Sequence, residues 1–293
     1  MLFLWYNNYG DDMKRSCLVL EGGAMRGIYT AGVIDALMKE KIKVDAVIGV
    51  SAGALFGVNY VSHQPERALR YNLDNINNKD YMGFSSLIRT GNIMNEDFCF
   101  NKLIYETDPF DFNTFDKSKI KFYAVITNIE TGKAEYKEIT DSKNQMEYLR
   151  ASGSMPLLSK IVKIDNNSYL DGGIGDSIPV KKAQELGYDK IIVVTTQPKD
   201  YIKKKYKMLP FRIAYNKYPN FINTLKNRHI NYNETTRYII NEENKGNIFV
   251  IRPTRKVKIK KIEKNPNIIK EQYYLGFNDM ENSLESLKKY LKK

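Results

Sequence analysis

The sequence has few cysteines and few histidines, and this shortage limits the chemistry that it can support. Its two cysteines, Cys17 and Cys99, cannot form a framework of several disulfides or a cysteine-rich metal cluster. Cys17 lies in an apolar strand pattern, so we expect a buried small hydrophobic residue rather than a reactive thiol. We therefore expect neither a metal nor a cofactor in this protein.

Long apolar runs are missing as well. No run approaches the roughly 18 residues that a membrane-spanning helix needs. The first six residues, MLFLWY, lack the basic flank and the small-residue cleavage site of a signal peptide. We predict a cytoplasmic protein in which residues 1–14 form an N-terminal leader.

Negative charge is the third scarce feature, because 46 lysines and arginines outnumber 34 aspartates and glutamates, for a formal charge of +12. No recognised nucleic-acid-binding motif accompanies this charge, so we do not expect nucleic acid as a partner. The most basic segments are YIKKKYKMLPFR at 201–212 and RKVKIKKIEK at 255–264. The second alternates lysine with apolar residues, which predicts an edge strand with a solvated lysine face. The alternative is transient, peripheral contact with an anionic membrane surface.

The sequence does contain the alternation of strands and helices that is typical of an α/β fold. The pattern predicts a strand at 16–21, a helix at 24–41, a second strand at 44–50 and a second helix from 52. A glycine turn follows the first strand and a tight turn follows the second. This order indicates a βαβ unit with a parallel sheet.

The remainder of the chain supplies further strands and helices. Strand patterns recur at 121–139, 161–173, 190–197 and 247–253. Residues 63–119 are polar and rich in aromatics, which predicts helices and loops that cover a substrate. The tail from Pro266 has helical spacing that is interrupted near Gly276.

The first candidate for chemistry is Ser51. Gly49, Ser51 and Gly53 match G-x-S-x-G, the turn that exposes a nucleophilic serine between a strand and a helix. The backbone of the nucleophile is strained in this turn, and a Cβ on either flank would collide with the adjacent strand or helix. The predicted strand and helix supply the context that the motif requires. The alternative is that Ser51 is the N-cap of an ordinary helix.

A serine nucleophile also needs hydrogen-bond donors for the negative charge of a tetrahedral intermediate. In EGGAMRG, Gly22, Gly23 and Ala24 directly follow a strand, so their backbone N–H groups could converge on an oxyanion. The alternatives are a tight turn or a degenerate phosphate-binding loop. The dinucleotide-binding fingerprint fits poorly, because Ala24 stands at its second glycine and no acidic partner ends the next strand.

Ser51 needs a base, and the two histidines are poorly placed. His63 is separated from Ser51 by roughly 18 Å of helix rise. His229 lies in a polar helical pattern, which predicts a surface residue. Asp171 in SYLDGGIGDSIPV is the better candidate, because it ends a strand pattern and is followed by two glycines that permit close approach. The alternative is that Asp171 only begins an Asp-Gly turn.

Together these motifs resemble the patatin-like phospholipase family, whose bacterial members are lipid acyl hydrolases with a Ser–Asp dyad. The resemblance extends over about residues 16–196 and follows the order G-G-x-x-R-G, G-x-S-x-G and D-G-G, each in its strand context. RASGSMPLL at 150–158 and DGGIGDSIPV at 171–180 also look like segments of the family. Three motifs in this order are far more specific than any one of them.

The resemblance implies an α/β, three-layer patatin-like fold with a mainly parallel central sheet flanked by helices. It implies that Ser51 is the nucleophile and Asp171 the base, with an oxyanion loop at Gly22, Gly23 and Ala24. The other motif positions are Arg26 and Gly27 after that loop, Gly49 and Gly53 beside the nucleophile, and Gly172 and Gly173 after the base.

One residue departs from the family pattern. Ala24 stands where the family has a third glycine, and alanine is tolerated only if its φ stays below zero, so the loop geometry and the catalytic rate are the part of the resemblance that depends on this residue. Arg26 either anchors this loop or attracts an anionic head group.

These features predict a serine hydrolase that cleaves carboxylic acyl esters of lipids through an acyl-enzyme, with a lipid acyl ester as its substrate. Two alternatives are open: an α/β-hydrolase esterase with a Ser51–Asp171–His229 triad, and a non-catalytic binder of membrane surfaces. We predict a catalytic domain at 15–197 and a basic, largely helical extension at 198–293 that packs on it.

Overall fold

The computed structural model describes residues 14–292, so the predicted leader lies outside the described residues except for Lys14. The strands within this range are β1 (Ser16–Leu20), β2 (Ala46–Val50), β3 (Lys121–Asn128), β4 (Ala134–Glu138), β5 (Val162–Ile164), β6 (Asn167–Asp171), β7 (Lys190–Val194) and β8 (Ile248–Ile251).

The helices are α1 (Ile28–Lys39), α2 (Ala52–Val61), α3 (Arg67–Asp74), α4 (Phe84–Thr90), α5 (Phe112–Lys117), α6 (Met146–Gly153), α7 (Val180–Glu185), α8 (Leu209–Ala214), α9 (Pro219–Asn244) and α10 (Pro266–Lys292). A π-helix covers Phe98–Thr107, and 3-10 helices cover Ala24–Gly27 and Gly172–Ile174.

All of these strands join one mixed sheet in the order β5-β6-β3-β2-β1-β7-β8, and β4 pairs with β3 off this path. The pairs within β3-β2-β1-β7-β8 are parallel, whereas β4, β5 and β6 pair antiparallel. Hydrophobic residues on both faces of a strand require helices on both sides of the sheet. In β1, Leu18 and Leu20 pack on one face, and Cys17 and Val19 pack on the other. The predicted mainly parallel sheet flanked by helices is confirmed, as is the buried Cys17.

Strand register brings three chain segments to one edge of the sheet. Leu20 at the end of β1 lies opposite Gly49 of β2, and Gly49 lies opposite Ala124 of β3. The antiparallel strand β6 ends with Asp171 opposite Ile126 of β3. The residues that follow β1, β2 and β6 therefore meet at this edge.

Helix α10 is continuous, so the interruption predicted near Gly276 is wrong. Gly276 instead marks a close crossing with α1: a Cβ built on it would lie 2.0 Å from the carbonyl oxygen of Tyr29. Across the same crossing, a Cβ on Gly32 would lie 2.0 Å from the carbonyl oxygen of Tyr273. The glycine permits helix contact here and does not break the helix.

The edge strand predicted at 255–264 is also wrong, because this segment is an irregular loop. Its apolar residues Val257 and Ile259 pack against the core, which explains the alternating pattern. The Glu263 carboxylate accepts three backbone N–H groups at 3.2, 2.9 and 2.9 Å and turns the chain toward α10. The Lys261 carbonyl accepts a backbone N–H of the first 3-10 helix at 3.4 Å, so the loop crosses the chain that leaves β1.

Candidate active site

Ser51 occupies a strained turn between β2 and α2. Its φ of 54° and ψ of −124° fall where a non-glycine residue is uncommon. Its side chain makes no capping hydrogen bond to α2, so it does not act as an ordinary N-cap. A residue held in such a conformation points to a functional constraint.

The glycines on either side of Ser51 are required by space. A Cβ on Gly49 would lie 2.5 Å from the Cα of Ala54, and a Cβ on Gly53 would lie 2.5 Å from the carbonyl oxygen of Leu20. Both distances are impossible for real atoms. The steric need predicted for the flanks of Ser51 is therefore present at both positions.

Asp171 lies within hydrogen-bonding distance of Ser51. The Ser51 hydroxyl donates to Asp171 Oδ2 at 2.7 Å, and both side chains are buried. Asp171 Oδ1 accepts the backbone N–H of Gly173 at 2.8 Å. Close approach at this strand end needs glycine, because a Cβ on Gly172 would lie 2.1 Å from the carbonyl oxygen of Val125. The serine and the carboxylate are thus joined directly, with no histidine between them.

Burial raises the pKa of the Asp171 carboxyl above its usual value. The hydrogen bonds from Ser51 and Gly173, and the positive charges of Arg228 and Lys261, act in the opposite direction but do not cancel the effect of burial. A carboxylate with a raised pKa is a stronger base than an ordinary aspartate.

Two serines hold the backbones of Ser51 and Asp171 in place, one within α6 and one directly after its C-terminal end. Ser152 Oγ accepts the backbone N–H of Ser51 at 2.9 Å, and the Ser154 carbonyl accepts the backbone N–H of Asp171 at 2.8 Å. The segment at 150–158 stood out in the sequence, but nothing in it indicated these contacts. The segment fixes the backbones of both reacting residues.

The glycine loop at Gly22, Gly23 and Ala24 lies beside Ser51. A Cβ on Gly22 would lie 2.8 Å from Ser51 Cβ, so only glycine allows this approach. Within residues 14–292, the three backbone N–H groups of the loop make no hydrogen bond. Ala24 has a φ of 49°, which corrects the expectation that alanine would keep φ below zero here. The chain follows the left-handed conformation that a glycine would adopt, at a cost in strain.

The remaining motif residues have different surroundings. Gly27 packs against α2, because a Cβ there would lie 2.7 Å from Ala52 Cβ. Arg26 Nε is buried, and among the described residues it has no hydrogen-bond acceptor. Within residues 14–292, this nitrogen therefore does not anchor the loop through a hydrogen bond.

Neither histidine belongs to this arrangement. His63 is exposed after α2. In the part of the chain that the structure describes, His229 forms no hydrogen bond to Asp171, whose two oxygens accept from Ser51 and Gly173. The geometry does not provide the Ser51–Asp171–His229 triad.

Two cavities meet at Ser51. An apolar cavity extends beneath the helices of the 63–119 region, and its lining includes Leu55, Phe56, Tyr71, Phe100, Leu103 and Met146. A second cavity opens on the other side and contains Arg26, Lys203, Arg228 and Lys261. Ala24, Ser51, Met155 and Lys261 line both cavities. The basic residues at 203 and 228 were missed in the sequence, since no motif links them to Ser51.

Residues 14–292 contain no cluster of three or more histidine, cysteine or acidic side chains that could hold a metal ion. Over the same range, no helix is both long and apolar enough to cross a bilayer.

Two family models match different parts of this chain, and the three motifs all lie within the first. The model described as patatin-like phospholipase matches residues 18–183. A model described as a domain of unknown function, DUF6363, matches residues 218–292.

Several individual proteins are similar to this chain. YjjU of Escherichia coli (strain K12), an uncharacterized protein, is 27% identical over 270 residues, which cover 89% of this chain and 75% of YjjU. The probable lipid hydrolase 463L of Invertebrate iridescent virus 6 is 27% identical over 200 residues, 61% of this chain and 69% of its own. Lysophospholipase nte1 of Emericella nidulans is 34% identical over 188 residues, 60% of this chain but only 12% of the fungal protein.

Among solved structures, VipD from Legionella pneumophila aligns with 94% of this chain and 67% of its own, at 14% identity and a TM-score of 0.45. A likeness this low carries no argument about function.

Proposed function

Because this chain belongs to the patatin-like phospholipase family and is a lipid acyl hydrolase, we propose that it cleaves acyl esters through a Ser51–Asp171 dyad. The observation that supports the dyad is the 2.7 Å hydrogen bond from the Ser51 hydroxyl to Asp171 Oδ2. The reaction class follows from a serine nucleophile, a carboxylate base and free backbone donors beside an apolar cavity.

In the proposed reaction, Asp171 accepts the hydroxyl proton while Ser51 Oγ attacks the ester carbonyl. The loop at residues 22–24 donates N–H groups to the oxyanion, and the leaving alcohol takes the proton from Asp171 as the C–O bond breaks. Water then attacks the acyl-enzyme, with Asp171 again as base, and releases the fatty acid and free Ser51. The apolar cavity holds the acyl chain.

Removal of either member of the dyad should abolish hydrolysis of a p-nitrophenyl ester of a short fatty acid. Ser51→Ala is expected to reduce turnover to background, and Asp171→Asn to reduce kcat by roughly 10²–10⁴-fold, which is the usual value of general-base assistance. A fluorophosphonate probe should label the wild-type protein and leave Ser51→Ala unlabelled.

Two control variants make this result specific. Ser286→Ala changes an exposed serine of α10 in the same way and should keep full activity. His229→Ala should retain near-normal activity, whereas a thousandfold loss would support the histidine triad instead. Full turnover by Ser51→Ala would remove the nucleophile assignment, and absent labelling of the wild type would favour a non-catalytic binder.

We also propose that the protein works at a lipid surface as a peripheral, cytoplasmic enzyme. The segment at 201–214, here called the basic apolar segment, exposes Ile202, Leu209 and Ile213 at 72%, 70% and 70%. Three exposed lysines lie between Ile202 and Leu209, and the exposed Arg212 directly precedes Ile213. Ile202 also lines the second cavity, the one that contains Lys203 and reaches Ser51, so lipid contact here would lie next to that cavity.

A further inference from the structure

The cavity that opens beside Ser51 collects positive charge from four separate parts of the chain. Arg26 lies in the first 3-10 helix, Lys203 in the segment after β7, Arg228 on α9, and Lys261 in the loop before α10. We call these four residues the cationic pocket. Because they come from distant points of the sequence, their convergence is a product of the fold.

Within residues 14–292, none of the four cations forms a salt bridge, although the charges of Glu21 and Asp171 act on Lys203 and Lys261. Arg228 donates only to neutral oxygens, namely the Gly173 carbonyl, the Tyr206 hydroxyl at 2.5 Å and the Ser177 hydroxyl at 3.4 Å. Lys203 Nζ lies 4.0 Å from the centre of the Tyr232 ring. These contacts hold the side chains in place without neutralising them.

The two carboxylates whose charges act on the pocket lysines have other hydrogen-bond partners. Glu21 accepts the Tyr232 hydroxyl at 2.7 Å and the backbone N–H of Thr196 at 2.5 Å. Asp171 accepts Ser51 and Gly173. Arg26 Nε is buried without an acceptor in residues 14–292, which leaves a desolvated donor beside the pocket.

Burial, and after it the mutual repulsion of the cations, lowers the pKa of both lysines of the pocket. Burial, reinforced by Arg228, Arg26 and Lys261, lowers the pKa of Lys203 to about 7, although the charge of Glu21 opposes this. Burial and the charges of Arg26 and Arg228 also lower the pKa of Lys261, although the charge of Asp171 opposes this. An anion bound among these groups would relieve both the desolvation and the repulsion.

Ser51 stands between the cationic pocket and the apolar cavity, and Lys261 lines both. An ester with its carbonyl at Ser51 would place its acyl chain in the apolar cavity and its alcohol side in the cationic pocket. A phosphate group on the alcohol part of the ester would suit this pocket. Its oxygens accept charge-assisted hydrogen bonds, so several cations can bind it at once.

Building on the proposed function, we propose that the cationic pocket is a subsite for a phosphate-bearing head group, which makes acyl esters of anionic phospholipids the preferred substrates over neutral acyl esters. The same phosphate chemistry could be supplied by free inorganic phosphate, which would then bind as a competitor.

The experiment compares an acyl glycerol phosphate with an acyl glycerol that carries the same octanoyl chain, both as monomers in solution. The wild-type kcat/KM should be at least about tenfold higher for the phosphate ester. Lys203→Met and Lys261→Met should each reduce this ratio by about tenfold, chiefly through KM, since each removes one charge-assisted contact. Millimolar inorganic phosphate should compete with the phosphate ester in the wild type.

The matched control is Lys226→Met, which removes an exposed lysine of α9 that does not line the pocket. It should leave the ratio unchanged and so exclude an effect of net charge. An equal kcat/KM for both esters in the wild type would overturn the proposal. Inhibition by phosphate with no preference between the esters would also overturn it, because free phosphate would then be the ligand.

The neutral p-nitrophenyl ester separates the two proposals. Hydrolysis of that ester without a preference for phosphate contradicts only the head-group subsite. If no ester is hydrolysed, the proposed function fails, and calorimetric titration of the wild type with inorganic phosphate tests the pocket alone. Binding that weakens in Lys203→Met and Lys261→Met but not in Lys226→Met supports the pocket, and absence of binding overturns it.

Discussion

Ala24 holds a left-handed backbone conformation next to the proposed nucleophile. Its φ of 49° is the value that glycine adopts freely and that alanine adopts at a cost of roughly 1–2 kcal/mol. Because the backbone still follows the conformation that glycine adopts, we expect the alanine to leave the course of the loop unchanged. We therefore expect this departure from the family motif to cost stability rather than catalytic geometry.

Replacement of Ala24 by glycine should raise the free energy of unfolding by about 1 kcal/mol, because it removes the strain of a Cβ at positive φ. The kcat/KM for the p-nitrophenyl ester should stay within about twofold of wild type, since the loop conformation is unchanged. Urea denaturation and initial rates measure the two quantities.

Lys41→Gly is a matched control, because Lys41 has a φ of 54° just after α1, far from the site. It should give a similar gain in stability. A large rise in kcat for Ala24→Gly, with no gain in stability, would mean that the alanine distorts the loop after all.

Among individual residues, the sequence predicted those whose identity is required by steric contacts with their neighbours in the chain. Gly49 and Gly53 follow from the geometry of a nucleophile turn, and their spacing identifies Ser51. The contacts of Ser152, and the convergence of Lys203 and Arg228, depend on where distant elements meet in space. No spacing rule connects such residues, so their roles required the structure.

The crossing of α1 and α10 is a close backbone-to-backbone helix contact. Gly32 of α1 and Gly276 of α10 let backbone approach backbone at this point. Above and below it, α10 buries Ile269, Tyr273, Met280 and other residues in the core cluster that includes α1. This packing fixes α1, and with it the glycine loop that precedes it.

A methyl group at the crossing should force the helices apart. Gly32→Ala would place Cβ 2.0 Å from the Tyr273 carbonyl oxygen, which backbone atoms cannot easily avoid. We expect a loss of about 1–3 kcal/mol in the free energy of unfolding, measured by urea denaturation followed by circular dichroism. Ser286→Ala, on the exposed face of α10, should change this free energy by less than about 0.5 kcal/mol. Unchanged stability in Gly32→Ala would contradict the tight crossing.

Element prediction succeeded where burial imposes a pattern on the sequence. The apolar run of β7 identifies a strand buried on both faces, and the glycine turn near residue 132 identifies the β3–β4 hairpin. Element prediction failed at 255–264 and near Gly276, because in each case the same sequence pattern is compatible with two different structures. Alternating apolar residues can form an edge strand or can anchor a loop to the core. A glycine can interrupt a helix or can allow two helices to cross closely.

The predicted division into a catalytic domain at 15–197 and an extension at 198–293 stays a proposal at the scale of the whole molecule. The C-terminal part supplies β8, which pairs with β7, and helix α10, which covers α1. It also supplies Lys203, Arg228 and Lys261 to the cationic pocket. The proposed extension would therefore contribute to substrate choice as well as packing.

The net charge of +12 is distributed over the chain, but the basic apolar segment combines charge with exposed hydrophobic side chains. Lys204, Lys205 and Lys207 are exposed within it. Each lysine near an anionic bilayer contributes about 1 kcal/mol, and exposed apolar side chains add to binding when they enter the interface. We therefore expect binding to anionic vesicles and weak binding to zwitterionic ones.

Substitution of Lys204, Lys205 and Lys207 together by glutamine should weaken partitioning into anionic vesicles by about a hundredfold, as measured by vesicle co-sedimentation. The control replaces three other exposed lysines, Lys117, Lys119 and Lys133, by glutamine and makes the same change in net charge. If the segment is the contact surface, the control should lose far less binding, because its lysines lie outside that segment. Equal losses in the two triple variants would instead assign vesicle binding to the diffuse charge of the molecule.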